Sequence, residues 1–226
     1  DDGIKPDALE KLLNFSKGFD IVQAAYIESY SDGTEKVPSD AVFTDKEITD
    51  TKEMLASYFL AEIHESCCNK LYRKSVIGDS RFDVNLAVAE DSSFVYGILK
   101  KTRNIKLLSV VTYHYYIRED SCMHTVIEDK HFLVLQLRDR QYEEAKADIK
   151  LFEKFIFRYA KDIFFLLHGI LHDESRKFAY RIFNLRIRIL QEKKFIFLSS
   201  YLNLRFKIGV FILWLCPKLF YKIYSK

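Results

Sequence analysis

Glycine and proline are scarce in this chain, with 7 and 3 among 226 residues. Few glycines leave few positions for tight turns, and no glycine-rich loop that could wrap a phosphate. Neither G-x-G-x-x-G nor a G-K-S/T word occurs, so a nucleotide bound here would have no familiar phosphate cradle. Cysteine is limited to Cys67, Cys68, Cys122 and Cys216. The adjacent pair lacks the spacing of a zinc knuckle, and all four read as reduced thiols in a cytoplasmic setting. The chain opens without Met and without a charged segment leading into an apolar one, so no signal peptide is expected, and the opening reads as the middle of a domain. No uncharged apolar run approaches the roughly 20 residues that a membrane-spanning helix needs; the longest late one is Ile208 to Pro217.

Apolar residues make up 49% of the sequence and aromatics 15%, which rules out a disordered chain and suffices for a sizeable core, with or without a helical appendage. The net charge of +3 hides an asymmetry. Residues 1–125 carry 15 Lys/Arg against 21 Asp/Glu, whereas residues 126–226 carry 20 against 11. From Arg176 onward twelve basic residues face the single acid Glu192. An acidic half able to hold a cation is thus joined to a basic, aromatic-rich half able to meet an anionic surface.

Pro6 followed by DALEKLLNF predicts a helix with Leu9, Leu12, Leu13 and Phe15 at helical spacing. DIVQAAY, 20–26, predicts a strand, SDGTEK a turn, and 37–48 irregular chain. A helix capped by Thr49 or Asp50 should reach about His64, with Met54, Leu55, Phe59 and Leu60 on one face. A second should run from about Asp91 to Lys101 with Phe94, Val95, Ile98 and Leu99 inward. The β-branched and aromatic stretch 105–117 predicts a strand. Beyond about Glu128 the pattern is helical, which places a boundary near 127. The fold class expected is α/β, followed by a mostly helical region. In the tail, Arg205 and Lys207 interrupt apolar residues near Trp214, Phe220 and Tyr221, a composition suited to a helix lying in the headgroup layer of an anionic membrane surface or to one packed on protein.

Two acidic pairs, Asp1-Asp2 and Glu90-Asp91, supply hard oxygen ligands and a potential proton acceptor. In order along the chain, DDGIKPDALEKL, CCNKLYRKSVI, RFDVNLAVAEDSSF and YHYYIREDSCM resemble the later half of a family 2 glycosyltransferase, an inverting enzyme of the GT-A fold; many of its members build bacterial surface polysaccharides. The family's words are D-x-D-D, N-K-L-Y, F-D…E-D-x-x-F and Y-x-Y-R-x-R-x-x-S, and the resemblance covers about residues 1–125. It implies an incomplete GT-A domain over 1–127, whose nucleotide-binding strands precede this segment, and a helical, basic region over 128–226. This piece alone is then expected to bind a nucleotide-sugar donor poorly, to be inactive, and to expose apolar surface where those strands belong.

The resemblance also assigns roles. Asp1 and Asp2 correspond to the last two acids of the metal-holding word, with a divalent cation, Mg or Mn, as cofactor. Asp91 corresponds to the catalytic base with Glu90 beside it, although Asp also suits a helix N-cap. Asn69, Lys70 and Tyr72 fall on the word expected to shape the acceptor side, and Arg118 and Ser121 on the late word, where Arg could meet a phosphate. Tyr116 stands where the family often has Arg. His114 and His124 are further metal candidates, and His64 reads as a surface residue. The acceptor implied is a glycan or lipid-linked sugar at the inner membrane face. Nucleic acid is not expected, since no recognised module is present. A non-catalytic membrane-associated interaction module and a metal-dependent phosphodiesterase are the competing readings.

Overall fold

The structure is a computed structural model, and it describes residues 2–38, 45–117, 127–173, 175 and 177–224. The chain divides into two compact units, Asp1–Thr125 and Val126–Lys226.

The first unit is mixed α/β, built on a six-stranded sheet. Its centre is a parallel pair, β2 (Ile21–Tyr30) and β6 (Ile105–Ile117), joined from Ile21↔Ile105 to Tyr30↔Ile117 with register shifts between Gln23 and Tyr26. A parallel pair needs a long crossover, and here it carries the helices α2 (Thr51–Phe59), α3 (Lys74–Ile77) and α4 (Glu90–Leu99). Four short strands join antiparallel: β1 (Gly3–Ile4) and β4 (Lys46–Ile48) on β6, β3 (Glu35–Lys36) and β5 (Lys70–Tyr72) on β2. The first five residues of β2 are all buried, as expected for a central strand covered on both faces. On one face Val22, Ala24 and Leu108 pack with Leu12 of α1 (Ala8–Asn14). The helices α2 and α4 meet through Tyr58, Phe59 and Tyr96, whose ring centroids are 5.4–5.9 Å apart.

Several local expectations change. The strand from residue 20 runs on to Tyr30, because β3 and the far end of β6 continue to pair with it. Within 37–48, Lys46–Ile48 is a strand, too short to show a period, whose Ile48 is buried against the core. Helix α2 starts as expected, with Asp50 accepting from the Glu53 N–H at 2.8 Å, but ends at Phe59 instead of near His64. Ala61 adopts a left-handed φ of 65°, and the N–H groups of Glu62 and Ile63 both return to the Ser57 carbonyl. No glycine marks this stop, so the apolar period runs through it unbroken. In α1 only Leu12 of the four expected apolar positions is buried; Leu9, Leu13 and Phe15 are exposed. In α4, Val95, Ile98 and Leu99 are buried as expected, and Phe94 is half-buried against Phe82.

The second unit is helical: α5 (Val134–Ala145), α6 (Ile149–His172), α7 (Ile182–Gln191), α8 (Lys193–Leu198), α9 (Leu204–Leu215) and α10 (Pro217–Tyr224). Its axis is α6. The buried residues Phe152, Phe155, Ile156, Tyr159, Ile163, Leu166 and Ile170 recur at the three- and four-residue steps of an amphipathic helix. Asp148 caps α6 by accepting from the N–H groups of Lys150 and Leu151. One charged cluster lies within this apolar unit. The buried Arg138 of α5 donates to Asp162 of α6 at 2.5 Å and to Gln141 at 2.7 Å. No helix among the described residues is long and apolar enough to cross a membrane.

Candidate functional site

Asp2 precedes β1, whose pairing of Gly3 with His114 and Ile4 with Tyr113 carries the start of the chain to the second half of β6. There the exposed Asp2 carboxylate accepts from the Tyr113 hydroxyl at 2.6 Å and from the Tyr116 N–H at 3.1 Å. Asp1 lies outside the described residues, as do Arg118, Ser121, Cys122 and His124.

Asp91 sits in the first turn of α4 beside Glu90, both half-buried. It is not the cap. Ala89 occupies that position with a left-handed φ of 71°, and no side chain caps the helix. The Asp91 carboxylate instead accepts the Cys67 N–H at 3.2 Å. Next to it, buried Ser92 donates to Glu65 at 2.9 Å and lies 2.6 Å from the Tyr58 hydroxyl, fastening the start of α4 to the segment after α2.

That segment, residues 60–69, connects the two acids. The Tyr113 hydroxyl that donates to Asp2 also contacts the Cys68 thiol; burial first, then Asp2 and Cys68, raise its pKa well above the ordinary value. Cys67, one residue earlier, is bonded through its N–H to Asp91, and burial followed by the Asp91 charge pushes its thiol up to about 12. Asp91 thus bonds Cys67 directly, and Asp2 is linked to the neighbouring Cys68 through the Tyr113 hydroxyl; consecutive Cα atoms lie only about 3.8 Å apart.

The segment is tightly held. Gln23 of β2 donates to the Glu62 carbonyl and accepts from the His64 N–H, both at 2.9 Å. Asn69 adopts a left-handed φ of 56°, which Asn tolerates, and its buried amide donates to the Ala24 carbonyl at 2.6 Å. Lys70 directs its ammonium at the carbonyl of Ser66 at 2.7 Å and at Asn69 Oδ1 at 3.2 Å. Burial lowers its pKa to about 7, with Cys67, Cys68 and Asp91 pulling the other way. The Tyr72 hydroxyl is buried beside Cys67 and Asp91 with no hydrogen-bond partner among the described residues, and burial foremost raises its pKa. Asn69 and Lys70 thus secure the loop bearing Cys67 and Cys68, and Tyr72 packs beside it.

His64 is half-buried, its ring 4.8 Å from that of Tyr26, so it is not the surface residue expected, and Glu65 beside it bonds to Ser92. His114 bonds to Ser29 at 3.1 Å and lies 3.3 Å from Glu35, a packing role across β2, β3 and β6. Among the described residues no group of three or more His, Cys, Asp or Glu is arranged to hold a metal ion. Sequence reasoning missed Tyr113, hidden in a tyrosine-rich strand, and the Cys67-Cys68 step. The only signal for the latter was its position directly before N-K-L-Y.

The charge on Lys70 has a pH consequence. Between pH 7 and about 8.5 the unfolded chain keeps the Lys70 proton while the folded unit has released it, so stability should rise with pH. Above about 8.5, the usual thiol value, Cys67 opposes this, since its thiol ionises only on unfolding. Pulse proteolysis in urea at pH 7.0 and 8.3 should show the rise, and Lys70→Gln should flatten it.

No protein-family model matches the chain. Over 68 residues it is 32% identical to the minor teichoic acid biosynthesis protein GgaB of Bacillus subtilis (strain 168), a stretch that is 29% of this chain and 8% of that protein. The chain thus spans less than two thirds of the length of this relative.

Proposed function

We propose that this chain carries the acceptor-side half of a metal-dependent inverting glycosyltransferase. It would move a sugar from a nucleotide-sugar to a glycan or lipid-linked acceptor in surface-polysaccharide synthesis, at the cytoplasmic face of the membrane. One observation carries the reading: the acids of two separate sequence words are linked to adjacent residues, Asp91 directly through the Cys67 N–H and Asp2 through the Tyr113 hydroxyl beside Cys68. The similarity to a teichoic acid biosynthesis protein supports the substrate class.

In this mechanism Asp91 accepts the proton of the acceptor hydroxyl as that oxygen attacks the anomeric carbon in line. The new C–O bond forms as the bond to the diphosphate breaks, and the diphosphate departs with the electron pair. The Cys67 N–H keeps the Asp91 carboxylate aimed from the first turn of α4, and Glu90 flanks it. Asp2, with Asp1 before it, would hold the divalent cation, which when bound neutralises the leaving diphosphate. An exposed carboxylate on a sheet edge suits this, because Mg is commonly held by one or two carboxylates plus substrate phosphates and not by a full protein cage. Asn69 and Lys70 would position the acceptor side through the loop they secure, with Tyr72 beside it. On the late word that Arg118 shares with Ser121, Arg118 would meet a donor phosphate.

The test is transfer from a panel of nucleotide-sugars to membrane-derived acceptor by the complete product of the gene. A chelator should lower the rate at least tenfold, and Mn or Mg should restore it. Full activity in chelator would remove the cation. No transfer from any donor would leave a non-catalytic interaction module as the better reading.

A further inference from the structure

Helix α9 is apolar on two opposite sides. Gly209, Val210 and Leu213 are buried within the helical unit. On the far side Leu204, Ile208, Phe211 and Leu215 recur at steps of four, three and four, forming one stripe, and they are 72%, 48%, 46% and 60% exposed. Helix α10 continues the pattern, with Phe220 buried and Leu219 and Ile223, four apart, 44% and 48% exposed. The helix is fixed in this orientation. The Asn203 side chain caps its start, Arg186 donates to the Leu213 and Trp214 carbonyls at its end, and the Tyr224 hydroxyl of α10 lies against Gly209.

Charge indicates what this face meets. On a helical projection Arg205 and Lys207 fall on the two flanks of the α9 stripe, and Lys218 and Lys222 flank the α10 pair; Arg205, Lys218 and Lys222 are exposed. Among described residues from 177 to 224 the single acid is Glu192, which accepts from Tyr142 of α5 at 2.9 Å. Apolar side chains bordered by bases match the acyl boundary and phosphates of an anionic lipid surface. Twelve residues of α9 extend about 18 Å, against the roughly 30 Å of a hydrocarbon core. A helix of this length lies in the interface without crossing it.

We propose that the exposed face of α9 and α10 docks on an anionic membrane, with Leu204, Ile208, Phe211 and Leu215 sunk to the acyl boundary and the flanking bases at the lipid phosphates. This does not depend on the transferase reading, since it is measured by lipid binding alone. Trp214, the only tryptophan, is 42% exposed at the edge of the stripe and reports on this face directly.

The experiment mixes the 226-residue chain with vesicles of phosphatidylcholine, either pure or containing about one-third phosphatidylglycerol, and follows flotation and Trp214 emission. Anionic vesicles should carry the protein up and shift the emission to the blue; neutral ones should do so far less. Ile208→Ser with Phe211→Ser should abolish flotation while circular dichroism stays unchanged, both side chains being exposed. Lys218→Gln with Lys222→Gln should weaken binding about thirtyfold, at about fivefold for each base near an anionic surface. Three results would overturn the proposal: an unshifted Trp214 with the protein left at the bottom; equal binding to neutral vesicles; or self-association without lipid that is lost in the Ile208/Phe211 variant, which would make a second copy the occupant of this face.

Discussion

Exchanging Asp91 for Asn in the complete gene product is expected to slow sugar transfer about 10²–10⁴-fold, the usual worth of a positioned general base, while donor binding is retained. The substitution is selective for structural reasons. The Asn side-chain oxygen can still accept the Cys67 N–H that Asp91 accepts at 3.2 Å, so the loop stays in place. What is lost is a basic oxygen able to take a proton. Glu90→Gln should have a smaller effect, because the proposed mechanism takes the proton on Asp91 and leaves Glu90 beside it. Initial rates with saturating donor, read beside calorimetric donor affinity, separate the two roles. Equal loss of affinity and rate would make Asp91 a structural residue, and an unchanged rate would remove it from the chemistry.

The second large effect concerns stability. Arg138→Met should cost the helical unit about 3 kcal/mol, the lower end for breaking a buried ion pair. The buried guanidinium supplies Asp162 and Gln141 together. Asp162 keeps Arg158 at 3.8 Å, a longer and weaker contact, and this places the cost at the lower end. A loss of that size lowers the melting temperature of a domain near 100 residues by roughly 12 °C or more. Trp214 lies in the same unit, so its emission on heating reads this transition. Adding Asp162→Asn should recover part of the loss, because it leaves an amide in place of an under-compensated charge.

Long elements of this fold were legible in the residues, and short ones were not. Residues 105–117 are rich in β-branched and aromatic side chains, and they form one strand over that full range. The apolar step of three and four after Glu128 became α5 to α10. By contrast β1, β3 and β4 have two or three residues each, fewer than two periods of any pattern, and only their partners make them strands. Helix α2 overran its true end because the left-handed turn at Ala61 is made by a residue that normally favours helix. At the candidate site, the acids and the N-K-L-Y word could be found in the sequence. The hydroxyl and thiol that connect them could not, because Tyr113 meets Asp2 only through the β1–β6 pairing.

That pairing also sets an order of events. Asp2 and Tyr113 are 111 positions apart, so one half of the site must wait for β6 to be synthesised and to add beside β2. Closure of so long a loop is slow relative to local helix formation. The acidic residue made first is thus secured last, and a ribosome-bound chain ending before β6 holds Asp91 on its helix but has nothing to anchor Asp2.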